Sequence, residues 1–223
     1  MQHISKGVKA MKIRYNFVPK HDVKHCEPTF TVKQAYETIK DTGYRCIPVL
    51  SNNGRKFEGF VYKVHLLDYL YENKGTEKDP VSSLIVNNDA FIYEEDSFFK
   101  AFFTIKRLPF IAVLNETEEF IGILTHANVM DVLADSFGMK TGGYTLTVAT
   151  IEHKGAIKDL VSLLKDVNID GMLTLDNGEK YLRRIIVNLP EELSEEKVKK
   201  IVKKLEDKGE FRVTHIDQID PQE

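Results

Sequence analysis

The sequence predicts a mixed α/β (α+β) chain in which a repeated unit is followed by a third unit of a different type. Three observations lead to this fold class. The pattern aromatic, any residue, Gly, apolar, apolar occurs twice, at 57–61 and 120–124, and Gly122 lies 63 positions after Gly59 (122 minus 59). In the chain, each copy comes after a segment whose apolar residues have helical spacing and after a short apolar run. After a Gly-rich segment at 138–143, the pattern changes to strand, helix, hairpin, helix and strand.

The first repeated unit begins with a helix and continues with two strands and a second helix. The apolar run Ile47–Leu50 predicts a buried strand, the polar stretch Ser51–Gly54 predicts a turn, and the next strand passes through Gly59. The final helix is expected to start near Val64. Apolar residues at helical spacing define the first helix: Val32, Ala35, Tyr36 and Ile39.

The second unit repeats this order. Its buried strand is Phe110–Leu114, its turn is Asn115–Glu119, and its final helix is expected to start near His126. One such unit could not cover its own sheet, whereas two units packed sheet to sheet could bury it. The apolar residues of its first helix are Phe98, Ala101, Phe102 and Ile105.

The last third predicts a ferredoxin-like βαββαβ unit. The turn Asp176-Asn177-Gly178 is a strong hairpin signal, and Ser194 and Gly209 are suited to cap the second helix. The predicted elements are, in order, a strand at 144–150, a helix at 156–167, strands at 171–175 and 181–189, a helix after Ser194 and a strand at 211–216.

The composition argues against several classes of partner and of compartment. With 31 basic and 34 acidic residues the formal net charge is -3, so we expect no nucleic acid and no membrane as partner. The two cysteines form no disulfide framework and no zinc spacing, and no apolar stretch is long enough for a membrane span. A cytoplasmic protein is expected.

The sequence contains none of the common catalytic motifs, so we expect no enzyme activity.

The repeated order of helix, strand, turn, strand and helix resembles the CBS repeat. The resemblance covers Val18 to Phe137 and rests on the apolar-Pro-Val run at 47–49 and on the strand exit Gly122-Ile123-Leu124-Thr125. It implies a tandem pair, also called a Bateman module, that binds adenine nucleotides in clefts between its halves. The last third resembles the ACT domain, and Gly155 fits a glycine that ACT domains often keep. The implied domains are an N-terminal segment at 1–17, CBS repeats at 18–75 and 76–137, a linker at 138–143 and an ACT-like domain at 144–220.

The strand exit of the second repeat is a candidate ligand site. A strand that ends before a helix directs backbone N–H groups and the helix dipole at an anion, so Gly122, Thr125 and His126 are candidate ligand residues. Asn128 lies one turn into the helix, where the CBS resemblance implies an Asp that holds ribose hydroxyls. The alternative is that Thr125 and Asn128 only cap the helix.

Arginines form the second group of candidates. Arg107 precedes the second repeat's apolar strand, where the resemblance implies a phosphate-binding arginine, and Arg45 holds the matching place in the first repeat. Surface ion pairs are the alternative for both. At the positions of Thr125 and Asn128 the first repeat has Tyr62 and His65, so we expect unequal clefts and one good site.

Two more residues complete the candidate site. Phe91 could stack on a base, although an aromatic residue in a strand is more often part of the core. His25 lies where the CBS resemblance implies a ligand contact. His21 and His25 have the spacing of metal ligands only on a helix, which Pro28 argues against, so no metal is predicted.

These observations predict a non-catalytic sensor of an adenine nucleotide. The resemblance extends to cyclic di-AMP-binding CBS proteins and to acetoin-utilisation-type CBS-ACT proteins of Gram-positive bacteria, and cyclic di-AMP is the preferred ligand. A homodimer that signals to an unknown protein target is expected, with no cofactor. The alternatives are an AMP or ATP sensor, or an amino-acid-responsive ACT regulator in which the CBS pair is a dimerisation scaffold.

Overall fold

The computed structural model describes residues 13, 16–51, 53–151, 153–176 and 182–220. Most of the predicted N-terminal segment at 1–17, together with Asn52, the predicted turn residues Asn177-Gly178 and Tyr181, lies outside the described residues. The chain divides between Met130 and Asp131 into two compact units. Within the described ranges, no helix has the length and apolar character needed to cross a membrane.

The first unit contains two copies of the predicted order, and its first helix begins at a side-chain cap. Helix α1 starts with a capping box in which Thr31 Oγ1 accepts from Gln34 N at 3.2 Å, and it ends at Gly43, whose φ is 70°. The elements are β1 (Val18–Pro19), α1 (Val32–Thr42), β2 (Cys46–Ser51), β3 (Lys56–Tyr62), α2 (Lys63–Tyr71), β4 (Phe91–Tyr93), α3 (Phe98–Ile105), β5 (Phe110–Leu114) and β6 (Phe120–Thr125). Helix α4 (His126–Ser136) follows β6 and contains the division after Met130.

The two repeats exchange short segments. Strand β1 opens the first repeat but pairs with β6 of the second, where Pro19 lies opposite Gly122. In the opposite direction, Val86 lies near the start of the second repeat but forms two backbone hydrogen bonds with Phe60 of β3, at 2.8 and 3.0 Å. Each repeat therefore completes the sheet of the other, and this exchange makes them one structural unit.

The core between the repeats is aromatic. Phe60 is fully buried, and its ring centroid lies 5.0 Å from those of Phe57 and Phe110. Phe57 also stacks on Phe120 at 6.3 Å. Since these rings come from strands of both repeats, the prediction that two units bury their sheets against each other is confirmed.

The second unit has the predicted βαββαβ order. Its four strands form an antiparallel sheet in the order β10-β7-β9-β8. Helices α5 and α6 pack on one face, over a core that includes Leu146, Leu160 and Leu205. The elements are β7 (Gly143–Ile151), α5 (Ala156–Leu163), β8 (Gly171–Asp176), β9 (Leu182–Leu189), α6 (Glu195–Glu206) and β10 (Phe211–Ile219).

Several element boundaries differ from the sequence prediction. Strand β7 begins at Gly143, inside the predicted linker, because Gly143 pairs with Ile219 at the end of β10. The same pairing extends β10 to Ile219, beyond its predicted end at Ile216. Helix α5 ends at Leu163 and not at Val167, because Leu164 has left the helical conformation with a ψ of 8°.

Candidate functional site: a basic cleft in the first unit

Two arginines hold equivalent places at the start of the buried strands. Arg45 stands directly before β2, and its backbone carbonyl accepts a hydrogen bond from Lys63 N at 2.9 Å. Arg107 stands between the end of α3 and the start of β5. The strand residues that follow, Cys46 and Phe110, are buried, whereas both arginine side chains are exposed. The buried strands therefore fix the backbone and leave the guanidinium groups in solvent.

Both arginines line the same cleft, which has a volume of about 470 Å³. None of its six described lining residues is acidic, and two of them are arginines and one a lysine. A concave surface that carries several cations and no carboxylate favours anions, and the planar guanidinium suits phosphate in particular. The described lining residues come from both repeats: Arg45, Lys106, Arg107, Leu108, Pro109 and His126.

His126 adds a ring nitrogen to this cleft. Its Nδ1 lies 3.1 Å from the carbonyl oxygen of Pro109, so the tautomer with a proton on Nδ1 donates this hydrogen bond. In that tautomer Nε2 is left as an acceptor, and in the protonated ring Nε2 becomes a second donor. The contact holds the imidazole at the N-terminus of α4, beside the cations of the cleft.

Thr125 and Asn128 form a capping box at the start of α4. The Thr125 hydroxyl donates to Asn128 Oδ1 at 2.7 Å, Thr125 N donates to the same oxygen at 3.0 Å, and Asn128 N donates to Thr125 Oγ1 at 3.2 Å. The hydroxyl hydrogen predicted to reach a phosphate is therefore used inside the helix cap. The Nδ2 amide of Asn128 makes none of these bonds.

The two repeats of the first unit match a known protein family. The model of the CBS domain matches residues 15–72 and 81–135, which together are more than half of the chain. The chain belongs to the CBS domain family. Its first unit is a CBS pair, as the repeat at a spacing of 63 residues predicted.

Solved structures share the fold of slightly more than half of this chain. A hypothetical conserved protein from Geobacillus kaustophilus is 27% identical, with 56% of this chain and 97% of that chain covered and a TM-score of 0.52. CBSX2 in complex with AMP is 18% identical over 56% of this chain and 96% of that chain, with a TM-score of 0.50. CbpB in complex with c-di-AMP is 17% identical over 55% and 83%, also with a TM-score of 0.50. No curated protein sequence matches the chain.

The two halves of the CBS pair differ at the positions of the capping box. Where the second repeat has Thr125 and Asn128, the first has Tyr62 and His65, whose rings lie 5.1 Å apart. Burial raises the pKa of the Tyr62 hydroxyl to about 12, so the hydroxyl stays neutral. Tyr62 makes no side-chain cap for α2. An aromatic contact thus replaces a hydrogen-bonded cap in the first repeat.

Gly122 lies where the exchanged segment approaches β6. A methyl group there would lie 2.5 Å from Cδ2 of Phe17, which is closer than real Cβ atoms approach a neighbour. The position needs glycine so that β1 can pair beside it. This contact gives Gly122 a packing role, and Gly122 is not among the residues that line the basic cleft.

His25 and Phe91 also lie outside the cleft lining. The Nδ1 of His25 is 3.1 Å from the carbonyl oxygen of Val23, and its ring lies beside Gly54 in the turn between β2 and β3. Phe91 packs on the core between the repeats, with its ring centroid 5.7 Å from that of Tyr93. Of the eight predicted site residues, the structure brings Arg45, Arg107 and His126 together in one cleft.

Lys106 was missed by the sequence analysis. It adjoins Arg107 and lines the same cleft. The signal was present, because two consecutive basic residues precede the buried strand of the second repeat, whereas Tyr44-Arg45 holds the matching place in the first. This extra cation gives the second repeat the larger share of the positive charge.

Proposed function

We propose that this CBS pair binds an adenine nucleotide, with cyclic di-AMP as the preferred ligand, and that binding regulates a protein partner. The single observation that carries the proposal is the cleft lined by Arg45, Lys106, Arg107 and His126, with no acidic residue in its described lining. CBS-domain proteins are regulatory modules in general, and the related structures of CBSX2 and CbpB hold AMP and c-di-AMP. The adenine-nucleotide class rests on those two proteins, whereas the phosphate recognition rests on this chain's own cations.

The placement of the arginines favours a ligand with two phosphates. Arg45 and Arg107 come from equivalent positions of the two repeats and line one cleft. A two-fold symmetric dinucleotide presents two equivalent phosphates, so each arginine can bind one of them. AMP presents a single phosphate and would use one arginine of the pair. Cyclic di-AMP therefore matches the cleft better than AMP does.

A homodimer that changes its geometry on ligand binding is the second half of the proposal. Two helices of the CBS pair expose large apolar side chains, which favours burial against a second copy. Phe103 of α3 is 88% exposed and Tyr71 of α2 is 89% exposed. The CBS repeats at 18–75 and 76–137, the linker at 138–143 and the ACT-like domain at 144–220 belong to this proposal, with the partner protein docking on the dimer.

Calorimetric titration of nucleotide-free, full-length protein with cyclic di-AMP, AMP, ATP and S-adenosylmethionine tests the ligand. Arg107→Gln removes a charged hydrogen bond to phosphate, which is worth about 1.5–3 kcal/mol, so we expect affinity to fall about 10-fold to about 150-fold. Arg45→Gln should weaken cyclic di-AMP binding to a similar degree. Arg107 is a better target than Asn128, because Asn128 also caps α4.

Arg55→Gln is the matched control. Arg55 is also an exposed arginine of the first unit, but it lies 3.9 Å from Glu119 and does not line the cleft. Binding of the control should equal that of the wild type. No heat with any adenine nucleotide, or equal affinities for Arg107→Gln and Arg55→Gln, would refute the proposal. Heat with amino acids alone would instead favour the ACT regulator.

A further inference from the structure

A second polar cluster lies in the ferredoxin-like unit, at one end of the sheet. His153 follows β7, Asp159 lies in the first turn of α5, and Glu210 directly precedes β10. The topology explains their proximity, because Phe211, the first residue of β10, pairs with Thr150 near the end of β7. One ligand atom from each side chain of the cluster lies within 4.8 Å of the other two.

The hydrogen bonds of His153 define which ring nitrogen is available. Its Nδ1 lies 3.0 Å from the carbonyl oxygen of Ile151, and a carbonyl can only accept, so Nδ1 carries a proton. Its Nε2 lies 3.3 Å from Asp159 Oδ2. A deprotonated Nε2 would place its lone pair against a carboxylate oxygen, so the contact needs either a second proton or a metal cation between the two atoms.

The distance between His153 Nε2 and Asp159 Oδ2 suits two ligands of a tetrahedral metal ion. Ligand atoms about 2.0–2.1 Å from zinc at tetrahedral angles are about 3.4 Å apart, close to the 3.3 Å between His153 Nε2 and Asp159 Oδ2. A backbone carbonyl that holds the other ring nitrogen is the usual support of a metal-binding histidine. Glu210 offers a third ligand atom within 4.8 Å of the other two, and two carboxylates would neutralise a divalent charge.

The surroundings leave room for a fourth ligand. Asp159 and Glu210 both line a cleft of about 370 Å³ that also contains Ser162 and Lys208. Water in this cleft can complete a tetrahedral shell. The ammonium group of Lys208 is the cation that would compete with a metal for the two carboxylates.

We propose that His153, Asp159 and Glu210 bind a divalent transition-metal ion, with Zn²⁺ as the best match to one imidazole and two carboxylates. The ion links the end of β7, the start of α5 and the start of β10. All three residues belong to the second unit, and none of them lines the basic cleft of the first unit. A metal was not predicted from the sequence, because 57 positions separate His153 from Glu210 (210 minus 153).

Titration of chelator-treated, full-length protein with Zn²⁺, followed by calorimetry, tests the site. The wild type should bind one equivalent, and His153→Ala should weaken this binding by at least about 10-fold, since even supporting residues of metal sites contribute about 10-fold to 100-fold. Lys208→Ala should tighten binding, because it removes the competing charge. Co²⁺ offers a second readout, because its visible spectrum reports tetrahedral coordination.

His215→Ala is the matched control. His215 Nε2 also faces a carboxylate, Asp217 Oδ1 at 3.2 Å, but within the described part of the chain it belongs to no cluster of three ligands. Its removal should leave the strongest Zn²⁺ site unchanged. Absence of a saturable site in the wild type would overturn the proposal and leave His153 and Asp159 as a protonated ion pair. Equal losses in His153→Ala and His215→Ala would overturn it as well.

Discussion

Replacing Gly59 by alanine should loosen the exchange of segments between the CBS repeats. Gly59 lies in β3 with a φ of 134°, and an alanine Cβ there would lie 2.6 Å from the carbonyl oxygen of Val86 and 2.7 Å from Cγ2 of Ile85. Real Cβ atoms essentially never come that close to a neighbour. One of the contacts is to backbone, so it cannot be relieved by a change of rotamer. The segment that contains Val86 has to move away from β3.

Two effects lower the free energy of unfolding of Gly59→Ala. The backbone conformation of Gly59 costs a residue with a Cβ about 1–3 kcal/mol, and the steric overlap adds about 1–3 kcal/mol, which gives about 2–6 kcal/mol in all. Gly43→Ala is the matched control, since Gly43 has a φ of 70° but no atom within 4 Å of the methyl group that alanine would add. That variant should lose only about 1–2 kcal/mol. A domain with an unfolding free energy of about 5–15 kcal/mol survives the control change with a clear margin.

Urea unfolding measures the total loss of stability, and amide hydrogen exchange reports the opening of the exchanged segment. The chain has no tryptophan, so circular dichroism is the suitable probe of unfolding. The amides of Phe60 and Val86 each donate to the carbonyl of the other residue, so their exchange reports the exchanged segment directly. We expect these amides to lose protection in Gly59→Ala and to keep it in Gly43→Ala. The reasoning fails if the two variants are equally stable and Val86 stays protected.

Two further predictions concern individual hydrogen-bonded groups. Hydrogen bonds from the backbone and hydroxyl of Thr76 and from Tyr69 lower the pKa of Asp79 from its ordinary 3.8, so its stabilising effect is present above that value and is lost as the pH falls through the lower, folded pKa. Urea unfolding on the acid side should show a smaller loss of stability with falling pH in Asp79→Asn than in the wild type. In the second unit Asn188 is buried, accepts from the Thr145 hydroxyl at 2.7 Å and donates through Nδ2 to the carbonyl of Phe137, so Asn188→Leu should cost about 1–3 kcal/mol for each group that it leaves unpaired. The double variant with Thr145→Val should recover part of that loss in thermal unfolding, and no recovery would argue against this bond.

The fold was predictable where periodicity and repetition act together. The repeat around Gly59 and Gly122 identified the CBS pair, and alternation with turn signals predicted the βαββαβ order of the last third. The exchange of β1 and Val86 was not predictable, because both segments are too short to carry a periodic pattern. Their partners are far away in sequence, so local propensity contains no information about the pairing.

The candidate site was predictable only in part. Arg45 and Arg107 were found because a repeat identifies equivalent positions, and both line the cleft. The hydrogen bonds of Thr125 with Asn128 show why a residue type alone does not decide between two roles. A hydroxyl that can donate to a phosphate can also close a helix cap, and only the geometry distinguishes these uses. Whether Thr125 reaches a ligand stays a prediction.

The segment exchange has a consequence for how the protein is made. During synthesis the sheet of the first repeat stays incomplete until Val86 has left the ribosome, and β1 has no partner until β6 follows about 100 residues later. Neither repeat can therefore reach its final sheet alone, and an early fragment would expose an unpaired strand edge. A break in the chain between the repeats would cut the covalent link between each sheet and the segment that completes it. This is a physical reason for such repeats to be inherited in pairs.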